Sequence, residues 1–125
     1  MSLLVPVSVG ELFDKITILQ IKTERITNLE ALRNIDKELR ALENICNKLI
    51  NIDPDLIAQL KLVNTEIWEV EDELRLFEKE QLFDNRFVNM ARSVYMFNDK
   101  RAAIKKKINN MYNSEIKEEK SYSTY

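Results

Sequence analysis

The chain has no histidine, one cysteine, one glycine and two prolines in 125 residues. Each scarcity removes a class of chemistry. Without histidine there is no Ser-His-Asp or Cys-His nucleophile arrangement and no imidazole metal ligand. A single glycine, Gly10, cannot build a glycine-rich phosphate loop or a dinucleotide-binding turn. A single cysteine, Cys46, makes neither an internal disulfide nor a thiolate zinc cluster. Set among apolar residues at helical spacing, it reads as a small core side chain. Turn-forming residues are too few for a sheet-rich fold. No apolar run approaches the ~20 residues of a membrane span, and residues 1–9 lack the basic start and apolar length of a secretory signal. The expectation is therefore a cytoplasmic protein with no membrane contact. A net charge of -2 is the opposite of the basic excess that a nucleic-acid binder presents, so nucleic acid is not an expected partner.

What remains is helical. The residues are 45% hydrophobic and 32% charged, the balance of long helices with short connections, and the length suits one domain. From Asp53 to Gln81 the apolar positions are Leu56, Leu60, Val63, Ile67, Val70, Leu74 and Phe77. Their alternating steps of four and three form the seam of a helix packed along another helix. The partner seam is Phe87, Met90, Val94, Phe97, Ile104, Ile108 and Met111. Phe77 against Met90, Val70 against Phe97, Val63 against Ile104 and Leu60 against Ile108 keep one register, as an antiparallel hairpin turning at Phe83–Asp84 requires. One rung departs from it: Arg101 faces Ile67, either laying its stem on the seam with its head in solvent or pairing with Glu66 or Glu71.

The first half repeats the plan on a shorter scale. Ser8-Val9-Gly10-Glu11 is an S-x-x-E capping box, and the face behind it is Val9, Leu12, Phe13, Ile16 and Leu19. Thr27 or Asn28 caps a second helix with the stripe Leu32, Ile35, Leu39, Leu42, Cys46 and Leu49. Asp53-Pro54 and Asp84 open the two long helices. The fold expected is all-α, a four-helix arrangement of two antiparallel helical hairpins, the second (about 54–112) long and coiled-coil-like. Residues 1–112 form the helical domain and 113–125 a C-terminal tail, flexible or docked. The first hairpin is too short to cover the second, so a homodimer, or a protein partner, is expected on the uncovered apolar surface.

Chemistry is confined to carboxylates and cations on helices. Glu66, Glu69 and Asp72 stand three residues apart on one face, the E-x-x-E and E-x-x-D spacing with which all-α nucleotide pyrophosphohydrolases hold Mg²⁺. Against this stands the plain reading of a solvated acidic face in a Glu-rich chain. Lys100, Arg101, Lys105, Lys106 and Lys107 make the fourth helix basic near its end, which its dipole favours by itself. Leu29–Asp36 is similar to the first helix of the helical chorismate mutases, but the later Arg and Lys pattern of that enzyme does not follow. Trp68 lies one position off the seam and reads as an edge-of-core residue.

Val5-Pro-Val-Ser-Val-Gly-Glu-Leu-Phe-Asp-Lys-Ile-Thr-Ile-Leu-Gln-Ile-Lys22, Asn64-Thr-Glu-Ile-Trp-Glu-Val-Glu-Asp72, Ala91-Arg-Ser-Val-Tyr95, Asn98-Asp99 and the ending Glu118-Glu-Lys-Ser-Tyr122 carry a resemblance. They look like the segments of a small uncharacterised family of bacterial and bacteriophage helical proteins. The resemblance covers nearly the whole chain. It implies a polar signature at Glu11, Asp14, Lys15, Lys22, Glu71, Asp72, Arg92, Asn98, Asp99 and Arg101, and at Lys120–Tyr122. It also implies an association with cell-surface polysaccharide genes. Six of these positions are taken as binding candidates: Asp14, Lys15, Glu71, Arg92, Asn98 and Arg101. The function expected is a non-enzymatic helical interaction or assembly module needing no cofactor. The alternative is a Mg²⁺-dependent pyrophosphohydrolase-like enzyme using Glu66, Glu69 and Asp72, with Glu69 and Asp72 as metal ligands.

Overall fold

The computed structural model describes residues 1–125. It is all-α, with four helices: α1 (Val9–Arg25), α2 (Leu29–Cys46), α3 (Pro54–Glu80) and α4 (Asn85–Met111). Each starts where a short polar side chain can take the free amides of the first turn. Ser8 Oγ accepts from Glu11 N at 3.1 Å, and Asn28 Oδ1 from Ala31 N at 2.9 Å. Asp53 accepts from Asp55 N and Leu56 N, with Pro54 in the first turn where no amide is needed. Asp84 accepts from Arg86 N and Phe87 N. The stops are unusual for a chain with one glycine. Gln81 at the end of α3, Asn113 just past α4 and Asn51 in the loop between α2 and α3 take the left-handed conformation, with φ of 55°, 49° and 59°. Asparagine tolerates that region well. Gln81 does so at the end of α3, where its amide nitrogen donates to Glu78 O at 2.7 Å.

The α3–α4 hairpin carries the seam foreseen in the heptads. Leu56, Leu60, Val63, Val70, Phe77 and Ile108 are buried. Phe77 and Phe87 meet edge to face across it, 6.1 Å between centroids. At 27 residues each, the two helices run ~40 Å at 1.5 Å per residue.

The connecting element is α1. It packs against α2, α3 and α4, whereas α2 packs only against α1. Eight of the 17 residues of α1 are buried, against one residue in α2. The fold is thus a three-helix core of α1, α3 and α4, with α2 laid on its outside. Phe13 enters the main cluster with Leu56, Leu60, Val63 and Ile108. The outer end of the hairpin lies beyond α1, and Leu76, Leu82, Phe83 and Val88 are exposed there.

The start of α1 sits in a socket made by the far end of the chain. Val9 N donates to Ser114 Oγ at 3.1 Å and Gly10 N to Asn109 Oδ1 at 2.7 Å. With Glu11 N on Ser8 Oγ, the three amides from Val9 to Glu11 are satisfied, and Leu12 N opens the regular ladder on Ser8 O. The expected capping box is only half formed. The Glu11 carboxylate, which would return to the Ser8 amide, is taken by Lys105 at 2.7 Å instead. A full charge on α4 outcompetes a neutral amide.

Gly10 is where the two backbones touch. A Cβ there would stand 2.7 Å from Lys105 O and 2.9 Å from Asn109 Oδ1. Because a backbone atom is in the way, α1 must move to admit a methyl group. Gly10→Ala is therefore expected to destabilise the protein by ~1–3 kcal/mol, as overpacking does, despite the better helix propensity of alanine. The urea midpoint checks this, and an unchanged midpoint would mean that α1 and α4 are not in close contact.

Candidate functional site

Three polar side chains project from α1 at three-residue spacing: Glu11, Asp14 and Thr17. They meet α3 and α4 next to the core rather than at the surface. Thr17 is fully buried and Asp14 nearly so. Asn64 of α3, one position from the seam residue Val63, donates its amide to Asp14 Oδ1 at 2.9 Å and to Thr17 Oγ1 at 3.0 Å. Its carbonyl accepts from Arg101 of α4 at 3.2 Å. Thr17 Oγ1 donates to Asp14 O at 2.9 Å. No buried side-chain polar atom of the protein lacks a hydrogen-bond partner, as a buried network requires.

Lys105 of α4 closes this network on one side. Its side chain is 12% exposed, and the ammonium lies 2.7 Å from Glu11, 3.2 Å from Glu118 and 3.7 Å from Asp14. Burial works against the charge, but the Glu11 hydrogen bond and the Asp14 and Glu118 carboxylates outweigh it and raise the Lys105 pKa. Glu118 belongs to the chain beyond α4, which turns back along that helix. Ser114 is buried and donates to Ile116 O at 2.6 Å. Lys120, first, and Lys105 hold the Glu118 carboxyl below its ordinary range. Further on, Tyr125 donates its hydroxyl to Asp99 at 2.6 Å and packs edge to face on Tyr95, 5.0 Å between centroids.

Between α4 and this returning segment lies a cleft of about 630 Å³, within the range of small-molecule sites. Asn98, Asp99, Arg101 and Lys105 line it from α4, and Lys120 and Tyr122 from the tail. Arg101 is its distinctive group. The half-buried guanidinium bonds Asn64 and Asn98, so its only partners are neutral amides. Neither Glu66 nor Glu71, the pairings open to it from the sequence, is bonded to it.

The structure brings three of the six binding candidates to one place: Asp14, Asn98 and Arg101. It leaves Lys15 and Arg92 apart, and Glu71 only borders Arg101 and Asn64 from another hollow. Lys15 is exposed on the outer side of α1. Glu71 pairs with Arg75 on its own helix at 3.0 Å. Arg92 is exposed, outside the cleft. Lysine 105, Asn64, Thr17 and Tyr95 were not among the candidates. Asn64 and Asn109 had one readable mark, a polar residue adjoining a seam position on the flank that a third helix would cover.

The Mg²⁺ alternative fares differently. Glu69 is held by Arg25 of α1 at 2.9 Å. Glu66, Glu69 and Glu73 line a shallow groove with Met90 and Phe97, while Asp72 lies with Glu71, Trp68 and Arg75 on another flank of α3, in a hollow that Asn64 and Arg101 also line. No three His, Cys, Asp or Glu side chains gather so as to hold a metal ion.

The charge cluster sets a pH dependence. Lys105 has a raised pKa, so its contribution is whole below the ordinary value of 10.5 and is lost as pH climbs through the raised one. Glu118 has a lowered pKa, so its contribution is whole above 4.5 and is lost as pH falls through the lowered one. The stability gap between the protein and Lys105→Met is expected to be widest at neutral pH and to close at both extremes. Urea melts across pH measure it; a gap independent of pH would mean that Lys105 acts through packing alone.

A search of the curated proteins and one of the solved structures found no match to the chain. A model of a protein family matches residues 3–125 and is described as a family of unknown function (DUF6165). The match takes in the helices, the α1 socket and the tail that closes the cleft, and the chain belongs to that family.

Proposed function

We propose that this chain is a non-enzymatic binding module that takes an anionic ligand in the cleft between α4 and the returning tail. One observation carries the reading: Arg101 is half-buried and has no carboxylate partner. Buried guanidinium groups ordinarily meet a counter-charge. Here two of its five donors serve neutral amides, which orient the fork and leave its charge for a ligand. Lys105 and Lys120 also line the cleft, each paired with Glu118. The lining of the cleft has no histidine or cysteine, and its one carboxylate, Asp99, accepts from the Tyr125 hydroxyl at the exposed edge, which favours binding over catalysis. The spread of Glu66, Glu69 and Asp72 over different flanks likewise favours it over a Mg²⁺-dependent pyrophosphohydrolase. The link to cell-surface polysaccharide synthesis that the resemblance implies points the choice of ligands toward phosphorylated compounds.

Thermal shift with inorganic pyrophosphate tests the reading. A ligand at 100 times its Kd adds about 2.7 kcal/mol of stability. Arg101→Met is expected to lose at least ~tenfold in affinity, which is 1.4 kcal/mol, while keeping its helical circular dichroism. Equal binding by the variant would overturn the assignment of the site.

A second reading rests on a separate observation, the exposed Leu76, Leu82, Phe83 and Val88 at the outer end of the α3–α4 hairpin. They suit a coiled-coil-like homodimer or a protein partner in the cytoplasm. Light scattering at micromolar concentration is expected to give twice the 14.8 kDa chain mass; a monomer would remove this reading and leave the cleft untouched.

A further inference from the structure

The cleft holds a carboxylate as well as cations, and that narrows the ligand. Asp99 stands two positions from Arg101 on α4 and lines the same cavity. Its hydrogen-bond partner is the Tyr125 hydroxyl, and no cation pairs with it. A bare anion drawn to Arg101 is therefore opposed by Asp99 at short range. A ligand that carries hydroxyl donors beside its anion turns that opposition into a bond, by donating to Asp99 where Tyr125 donates now. The remaining lining is aromatic. Tyr95, Tyr122 and Tyr125 come together there, all three exposed. Exposed rings around a cavity offer faces on which a flat group stacks.

An anion, a pair of hydroxyls and a flat ring are the three parts of one ligand class. We infer that the cleft binds a nucleoside diphosphate: the diphosphate on Arg101 and Lys120, the ribose hydroxyls on Asp99, and the base against the tyrosine rings. This rests on the anion-binding reading above and goes beyond it in naming what is attached to the anion. A cavity of about 630 Å³ accommodates a ligand of that size. Ribose recognition by a carboxylate is a general device; here it takes the place of an existing tyrosine bond.

Calorimetric titration of the full chain with uridine diphosphate, adenosine diphosphate, pyrophosphate, ribose 5-phosphate and adenosine tests it. The diphosphates are expected to bind at least ~tenfold more tightly than pyrophosphate, the worth of one charge-assisted hydrogen bond. Asp99→Asn is expected to weaken the nucleoside diphosphates and to tighten pyrophosphate, because one substitution removes both the ribose acceptor and the repulsion. Tyr122→Ala, at an exposed ring whose loss does not threaten the fold, is expected to weaken the diphosphates by more than it weakens pyrophosphate, which feels only the loss of the ring under Lys120. Pyrophosphate binding as tightly as the diphosphates would overturn the inference while the anion site stood. Ribose 5-phosphate equal to the diphosphates would overturn the role of the rings. Adenosine alone binding as tightly, or no ligand binding at all, would overturn both readings.

Discussion

The structure depends on the first turn of α1 being seated in the far end of α4. Four amides of a helix start must find acceptors, and two of these find theirs on Asn109 and Ser114, about a hundred positions away. The seat is tight enough that position 10 admits no Cβ. This contact brings Glu11 and Asp14 to Lys105 and carries Phe13 into the core. Ser114 is also where the chain leaves α4 and turns back. Its hydroxyl accepts from Val9 and donates to Ile116, so the atom that caps α1 also steers the tail toward the cleft. The same contact thus serves both the fold and the site.

The buried polar network is a poor source of stability and a good source of geometry. Bringing Asp14 and Lys105 out of water costs free energy that their attraction only partly returns. Well-packed apolar side chains at Thr17 and Asn64 would satisfy the core equally well. What the network supplies is a defined crossing. Asn64 can serve Asp14, Thr17 and Arg101 together only when α1, α3 and α4 meet at one level. It also fixes the orientation of Arg101 through groups that do not neutralise it. A carboxylate in place of Asn64 would hold the guanidinium as firmly and consume the charge.

The elements were legible because their signals are local. The seam from Leu56 to Phe77, its counterpart on α4 and the caps at Ser8, Asn28, Asp53 and Asp84 follow from period and side-chain chemistry within a few residues. Two antiparallel hairpins follow from matching those periods. The order in which helices cover one another does not, because an amphipathic stripe states that a face is buried and not by what. The longest seam lies on α3, yet α1 is the element that touches every other. Glu11 shows the same limit at one side chain. Its position completes a capping box by spacing, and Lys105 takes it from across the fold. The cleft was legible only in fragments. Arg101 stood out as the polar rung of an apolar seam, but its partners Asn64 and Asn98 are neutral and do not announce themselves. Tyr122 and Tyr125 reach the basic end of α4 only when the tail returns.

The tail joins the body by few bonds and has no regular structure of its own. A segment held this way opens more readily than the packed helices. Its anchors are unequal. Ser114 is buried and bonded on both sides. Glu118 is held by two lysines. Tyr125 has one hydrogen bond and one edge-to-face contact at an exposed site. Opening therefore begins at the Tyr125 end and runs back toward Glu118, uncovering Asp99 before Arg101. A ligand entering from that side meets the rings first, then Asp99, and the buried charge last. Residues on α4 and on the tail would both hold it, so binding and tail closure share one free energy. The weak outer anchor permits entry, and the strong inner one ensures that the tail returns to the same place.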